Sequence, residues 1–509
     1  MRYKAVIQQS QGSRWLGFHD PAEVFVADNL EEVIPFLEEI ERQVISHRLF
    51  AVGFISYEAS PAFDTALKVR KPSPLPLLWF GLFNSYDELI LNKENSVYKI
   101  GEWQPTVTRS EYDQAIAQIK DLIALGRTYQ VNYTLRQRSP FEGDPWGLFV
   151  DLNRAQRANY GAYIDTGRQV LCSVSPELFF KLDGSQLESR PMKGTAPRGL
   201  TAQEDERQAV WLHKSRKNRA ENVMIVDMIR NDMGRVGRVG SVHVPSLFDV
   251  ERYPTLWQMT STVRSETDAS ITDILRALFP CASITGAPKV STMDIISRLE
   301  STPRGAYTGC IGVISPDRRA QFNVAIRTVV VDRQSGKAEY GVGGGIVWDS
   351  TSKDEYRECQ TKALVLTQPP PRFQLLESIL WQPEEGYFLL EEHLSRVSNS
   401  AEYFDYALDS VQLRETLMAF AATLPGMPAK VRVLVDEDGM IQVEAAALIP
   451  SDGVRLRLSI TPVSSKDVFL YHKTTHRDVY DRANDGLADC DDVILWNERK
   501  ELTETTTAN

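Results

Sequence analysis

The sequence has few cysteines, no long apolar run and no excess of basic charge, and each shortage closes off a class of protein. Its five cysteines, Cys172, Cys281, Cys310, Cys359 and Cys490, are scattered, odd in number and never arranged as C-x-x-C. That spacing argues against a zinc cage or a disulfide framework and for reduced thiols in a cytoplasm. Apolar stretches such as "PLLWFGLF" fall far short of a membrane span, and the opening "MRYKAVIQQSQGSRW" holds no signal-peptide core. We therefore expect a cytoplasmic chain without a membrane partner. Lys and Arg number 57 against 68 Asp and Glu, for a net charge of −11, and no long basic run is present. Nucleic acid is not an expected partner. There is no repeat of solenoid period and no Walker A sequence.

What is present is a chain of 509 residues, 42% apolar and 25% charged, the profile of a folded protein of two or three domains. The clearest break is "LTQPPPRFQ", where three successive prolines cannot continue a helix. We place boundaries to give residues 1–100, 101–366, a proline-rich linker 367–373, and 374–509. In "SEYDQAIAQIKDLIALG" Ser110 and Asp113 form a plausible capping pair, with Tyr112, Ile116, Ile119 and Ile123 on one face and Gly126 at the end. "QVLCSVSPELFFKL" reads as two strands broken at Ser-Pro, "ENVMIVDMIRNDMG" as a helix, and "AQFNVAIRTVVVD" and "KAEYGVGGGIVWD" as strands. Helices and strands follow no βαβ alternation, so the expected class is α+β with a large antiparallel sheet.

Four places carry chemistry. In "KNRAENVMIVDMIRND", Glu221 shares a helix face with Met224, Ile225 and Met228. It is either paired or metal-bound within an apolar stripe, or at the stripe's edge reaching water. In "SKDEYRECQTKALVL", Glu355, Glu358 and Lys362 share a face. They form either a surface ladder or a site in which Glu358 joins Glu221 on a hard divalent ion. Glu177 opens after a proline at a strand break and is either a loop glutamate or a general acid. Lys193, in "SRPMKGTAPRG", sits on a loop stiffened by Pro191 and Pro197, as a solvated charge or a nucleophile. "YGVGGGIVWDS" fails the dinucleotide pattern, since Ile346 stands where the last glycine is needed. A glycine-lined strand instead offers a ligand its backbone N–H groups, or is a bulge with no ligand.

Together "YQVNYTLRQR", "SVSPELFF", "RPMKGTAPRG", "AENVMIVDMIRND", "CASITGAPKVSTMDII", "YTGCIGVI", "FNVAIRTVVV" and "GVGGGIVWDSTSKDEYRECQTKA" resemble the chorismate-utilising enzymes over roughly residues 100–366. The resemblance implies a large antiparallel β-sandwich with flanking helices, and Mg²⁺ held by Glu221 and Glu358. It implies substrate contacts from Gly194, Thr195, Thr285, Tyr307, Arg327, Gly343 and Gly345, with catalysis by Lys193 and Glu177. A lysine at position 193 resembles the branch that aminates chorismate at C4 to aminodeoxychorismate, on the way to 4-aminobenzoate and folate, where the amine attacks the ring. Ammonia would come from a separate glutamine amidotransferase subunit. Gln258 stands where anthranilate-forming relatives carry a histidine, and Gln130 where water-adding relatives carry a lysine. The alternatives are an anthranilate synthase component I and a non-catalytic docking subunit for the amidotransferase.

Residues 374–509, through "LLEEHLSRVSNSAEYFDY", "FLYHKTTHRDVYDRA" and "DDVILWNERKELTETTTAN", resemble fold-type IV pyridoxal-phosphate enzymes such as aminodeoxychorismate lyase. Lys473 then matches the Schiff-base lysine and Glu504 the partner of the pyridine nitrogen. Because the sequence ends at Asn509 within that family's cofactor motif, the expectation is an incomplete domain in which pyridoxal phosphate is doubtful.

Overall fold

Alternation of polar and apolar side chains along one long strand, buried on both faces, explains why the first part of the chain is layered. In Gln130–Gly143, Val131, Tyr133 and Leu135 pack with Tyr112, Ile116 and Ile119 of the helix Arg109–Ala124. Their neighbours Gln130, Asn132, Thr134 and Arg136 point to the other side, as the two-residue period of a strand requires. Burying each such apolar side chain contributes roughly 1.5–3 kcal/mol. A computed structural model describes residues 4–9, 14–71, 74–91, 96–366, 371–448, 453–485 and 490–507. It divides into two compact units, residues 1–196 with 212–369, and residues 197–211 with 370–509.

The first unit is built on two antiparallel sheets, of eleven and ten strands among the described residues. One places Gln130–Gly143 beside Lys337–Ile346, then Thr328–Asp332, Gln169–Ser175, Tyr160–Asp165 and Ala5–Gln8. The other runs from Met192–Pro197 through Leu256–Glu266, Gln186–Arg190, Leu178–Asp183, Arg319–Val324 and Cys310–Ser315 to Phe50–Ile55. Strands from the first hundred residues therefore enter both sheets. The faces between the sheets meet through Ile7, Phe18, Phe54, Leu171 and Ile311. Helices Leu30–His47, Arg216–Gly234 and Ile271–Leu278 cover the second sheet. The α+β class read from the sequence and the antiparallel sandwich implied by the resemblance both stand.

Two local readings change. The helix expected to be capped by Ser110 and Asp113 starts earlier. Thr108 is its N-cap, accepting from the Glu111 N–H at 3.3 Å, while the Glu111 carboxylate accepts from the Thr108 N–H at 2.7 Å. Asp113 pairs instead with Arg109 at 2.8 Å. "AQFNVAIRTVVVD" is also not one strand but two, Arg319–Val324 and Thr328–Asp332, lying in different sheets. The chain crosses between them at Ala325–Arg327, and Arg327 takes a left-handed φ of 51° to make the turn.

In the second unit, Leu375–Gln382, Ala429–Val435 and Ile441–Ala447 form a sheet. Helices Leu390–Phe404 and Ser410–Ala421 pack on it through Val397, Ala401, Leu413 and Leu417. A separate three-stranded sheet joins Leu456–Leu458, Asp492–Trp496 and Leu502–Thr505. Of the linker expected at 367–373, residues 367–370 lie outside the described residues, as does Asn509. All five cysteines are unpaired, and no described helix is long and apolar enough to cross a membrane.

Candidate active site

Lys193 stands on the strand Met192–Pro197, one residue before Gly194, whose φ of 104° is left-handed. Its Nζ lies 3.8 Å from Glu221 Oε2, and the two side chains are only 15% and 18% exposed, which removes the solvated-charge reading. Glu221 sits at the margin of a buried helical stripe formed by Asn222, Ile225, Val226, Ile229 and Met233. Space for the amine comes from Gly345 across the cleft. A methyl placed there would overlap both Lys193 Nζ and Gln130 Nε2, so any side chain at this position would displace both polar tips. The Gln130 amide is fully buried, and among the described residues neither its oxygen nor its nitrogen has a partner. Such a group carries a desolvation penalty of about 1–3 kcal/mol until something polar meets it.

Glu177 follows the break between Gln169–Ser175 and Leu178–Asp183 and is buried. Burial pushes its carboxyl up to about 7, against the opposing pull of the Ser283 hydroxyl, which donates to it at 2.6 Å, and of the Met192 N–H and Lys193. A carboxyl that stays protonated to neutrality beside an amine is equipped for acid–base work.

The helix Ser352–Ala363 brings Glu355, Glu358 and Lys362 around Gly344. Lys362 does pair with Glu358 at 2.6 Å, but it also donates to the Gly343 carbonyl at 2.8 Å, so the ladder is tied to the glycine strand. Lys362, foremost, and then Lys193 and Arg327 hold Glu358 below the usual carboxylate range, whereas burial raises Glu355. Among the described residues no group of three or more metal-ligating side chains is close enough for a cage. The oxygen donors of Glu221 and ionised Glu358 nevertheless suit Mg²⁺ with substrate and water completing the shell.

The pairing of the glycine strand shows where its N–H groups point. Opposite Gly343, the Thr134 N–H goes to Glu300; opposite Gly345, the Asn132 N–H goes to the Thr285 carbonyl. Both are therefore non-hydrogen-bonded pairs, and the N–H groups of Gly343 and Gly345 face the other edge. On that edge Thr328–Asp332 pairs only as far as Tyr340. Arg327 donates to the Lys362 carbonyl at 3.2 Å and has no carboxylate within ion-pair distance among the described residues. Tyr307 packs over Gly341. Thr285 differs: its hydroxyl lies 3.3 and 3.2 Å from the carbonyls of Cys281 and Ala282, its nearest acceptors. Thr195 donates to Gln258 at 3.2 Å.

Sequence reasoning missed the support beneath these groups. Glu300 accepts from Arg304 at 2.7 and 3.0 Å and from the N–H and hydroxyl of Thr134 at 3.0 and 2.8 Å. Arg304 also donates to the carbonyls of Asn132 and Ile284, and Glu58 accepts from the N–H groups of Arg304 and Gly305. The signal was the i, i+4 charge pair in "ESTPR", which looks like a surface pair until burial is known.

In the second unit Lys473 and Glu504 line one cavity of about 130 Å³. Burial, chiefly, lowers the Lys473 amine. Arg396 and Arg477 offer charge for a phosphate, but ligand pockets are usually at least about 300 Å³. The hydroxyls of Thr505, Thr506 and Thr507 are all given to Asp492. The described residues do not fit pyridoxal phosphate, and no chemistry is assigned to it.

Residues 86–368 match the family described as chorismate binding enzyme. The chain belongs to that family. Residues 374–509 match amino-transferase class IV. Aminodeoxychorismate synthase component 1 of Salmonella typhimurium is 43% identical over 329 residues, covering 64% of this chain and 68% of that one. The protein of the same name from Escherichia coli is 42% identical over 259 residues, 50% of this chain and 57% of its own. Anthranilate synthase component I from Streptococcus pneumoniae superposes with a TM-score of 0.62 at 22% identity, covering 72% of this chain and 93% of that one. That likeness concerns the fold.

Proposed function

We propose that this chain aminates chorismate at C4, giving 4-amino-4-deoxychorismate. The relatives named aminodeoxychorismate synthase component 1 support the reading. The observation that carries it is the meeting of half-buried Lys193 and Gly345 with buried Gln130 beside buried Glu177. Lys193, as the neutral amine, attacks ring C2; the double bond shifts and the C4 hydroxyl departs as water with the Glu177 proton. Ammonia then adds at C4, the double bond shifts back, and the lysine amine leaves with the nitrogen's surplus proton returned through Glu177. The balance is chorismate plus ammonia giving the amino product plus water. Arg327 and the outward N–H groups of Gly343 and Gly345 suit the substrate carboxylates. Glu221 and Glu358 would hold Mg²⁺, which supplies positive charge for a substrate carboxylate. Ammonia comes from a separate glutamine amidotransferase subunit, and the unpaired cysteines fit a cytoplasmic setting.

The test is incubation of the full chain with chorismate, Mg²⁺ and ammonium, with the product identified by mass, beside Lys193→Ala. A product retaining the enolpyruvyl group is expected, with a loss of at least about 10³-fold in the variant. Anthranilate plus pyruvate would overturn the reading.

A further inference from the structure

Gln258 stands on Leu256–Glu266, the strand next to the one that carries Lys193. Its Nε2 donates to the Gly194 carbonyl at 2.9 Å, and its Oε1 accepts from the Thr195 hydroxyl at 3.2 Å. From the other side the helix Arg216–Gly234 presents Asn222, which is 1% exposed. The Asn222 Nδ2 donates to the Lys193 carbonyl at 3.3 Å, and its Oδ1 accepts from the Ser261 hydroxyl at 2.6 Å. Ser261 lies three residues beyond Gln258, and its N–H donates to the Pro191 carbonyl at 3.2 Å. The carbonyls of Pro191, Lys193 and Gly194 are thus each held by a group from outside their own strand.

The need for such bonds follows from the backbone. Gly194 in a left-handed conformation turns the strand, so the carbonyls around it cannot all meet a regular ladder. An amide suits the position because one planar head both donates and accepts and does not titrate. A carboxylate there would set its charge against the Gly194 carbonyl, and an imidazole would change charge near neutrality.

We propose that Gln258 is the positioning residue for Lys193. Its amide brackets the Gly194 turn, fixes the direction in which the lysine side chain leaves the backbone, and does so with a group that cannot relay a proton. Gln258 thereby does more than replace an absent base. This role rests on the reading of Lys193 as the attacking amine.

The test uses the full chain and two shape-conserving variants, Gln258→Met, which removes both hydrogen bonds, and Gln258→Glu, which keeps only the acceptor. Because a misplacement of about 1 Å can cost about a hundredfold in rate, Gln258→Met is expected to lower kcat by that factor while the chorismate KM stays within about threefold. Gln258→Glu is expected to change in the same direction. A second readout needs no turnover: acetylation of Lys193 by acetic anhydride in the resting protein, mapped by mass spectrometry. It should be several-fold faster in Gln258→Met at an unchanged melting temperature. Unchanged kcat and unchanged labelling would overturn the proposal, as would a loss confined to KM, which would place Gln258 on the substrate. Should the wild-type product be anthranilate, the proposed function fails, while the labelling comparison still decides whether Gln258 positions the lysine.

Discussion

Two lysines, each in its own unit and each expected from a family resemblance to be a reactive amine, sit in very different company. Around Lys193 the polar groups have capacity to spare. Among the described residues Gln130 is buried without a partner, Glu177 is kept protonated, and two glycine N–H groups face an unpaired edge. Around Lys473 they are used up by one another. Arg396 is bidentate on Glu377 at 2.6 Å, Tyr480 donates to Glu504 at 2.8 Å, and three threonines close on Asp492. A site that awaits a substrate carries polar groups that only the substrate can satisfy, and this costs stability in the resting protein. Self-satisfied groups cost nothing and offer nothing. The difference lies in unspent hydrogen-bonding capacity, which motif matching does not register.

The largest effect here should come from Glu177, whose carboxyl burial holds above its ordinary value. Glu177→Gln is expected to lower kcat by about 10²–10⁴-fold, the range for a lost general acid. The wild-type rate should fall as pH rises through about 7, where Glu177 loses its proton, and the variant should lack that limb. The same residue shapes stability. Below pH 4.5, its ordinary value, both folded and unfolded states are protonated and it contributes nothing. As pH rises from there to about 7 the unfolded chain ionises first, so folding loses roughly 3 kcal/mol, a loss complete above 7. Urea unfolding across pH should show a flatter profile for Glu177→Gln; an equally steep one would place the titration elsewhere.

Next in size is the support under the Lys193 site. Glu300→Ala leaves buried Arg304 without its counter-ion and strips the bonds to Thr134, an expected cost of about 3–5 kcal/mol. The check is denaturant unfolding followed by tryptophan fluorescence. A change under about 1 kcal/mol would mean that water or Glu58 takes over the arginine. Within the same unit Glu300, Arg304 and Thr134 satisfy one another, whereas Arg136, 3.5 Å from Glu300, keeps Nε and Nη2 without a hydrogen bond among the described residues.

How much of this could be read from the sequence follows from the range over which each residue acts. The α+β class was legible because alternation and helical stripes are local, as where Tyr112, Ile116 and Ile119 announce a buried face by spacing alone; the sandwich came from the family resemblance. The turn at Ala325–Arg327 was not legible, because "AQFNVAIRTVVVD" holds no glycine or proline to mark a break, and only the other strands decide that it changes sheets. Lys362 looked like the end of a surface ladder, since its bond to Gly343 joins residues 19 apart through a fold the spacing does not encode. Thr285 carried the family's pattern, and the nearest acceptors of its hydroxyl are carbonyls of the preceding turn.

The smallest effect is expected at the second lysine, and its smallness is what tests the contrast. Lys473→Ala removes an amine whose cavity of about 130 Å³ is bounded by groups already bonded to each other. Amination of chorismate by the full chain should therefore stay within about twofold of wild type. Adding pyridoxal phosphate to the wild-type chain should give no new absorbance near 400–430 nm, an approximate window for an imine of that cofactor with a lysine. An absorbance band lost in Lys473→Ala would show that the cavity opens far enough for the cofactor to reach Lys473. The two lysines would then differ only in when their partners are freed: one holds its capacity open in the resting protein, the other on ligand arrival.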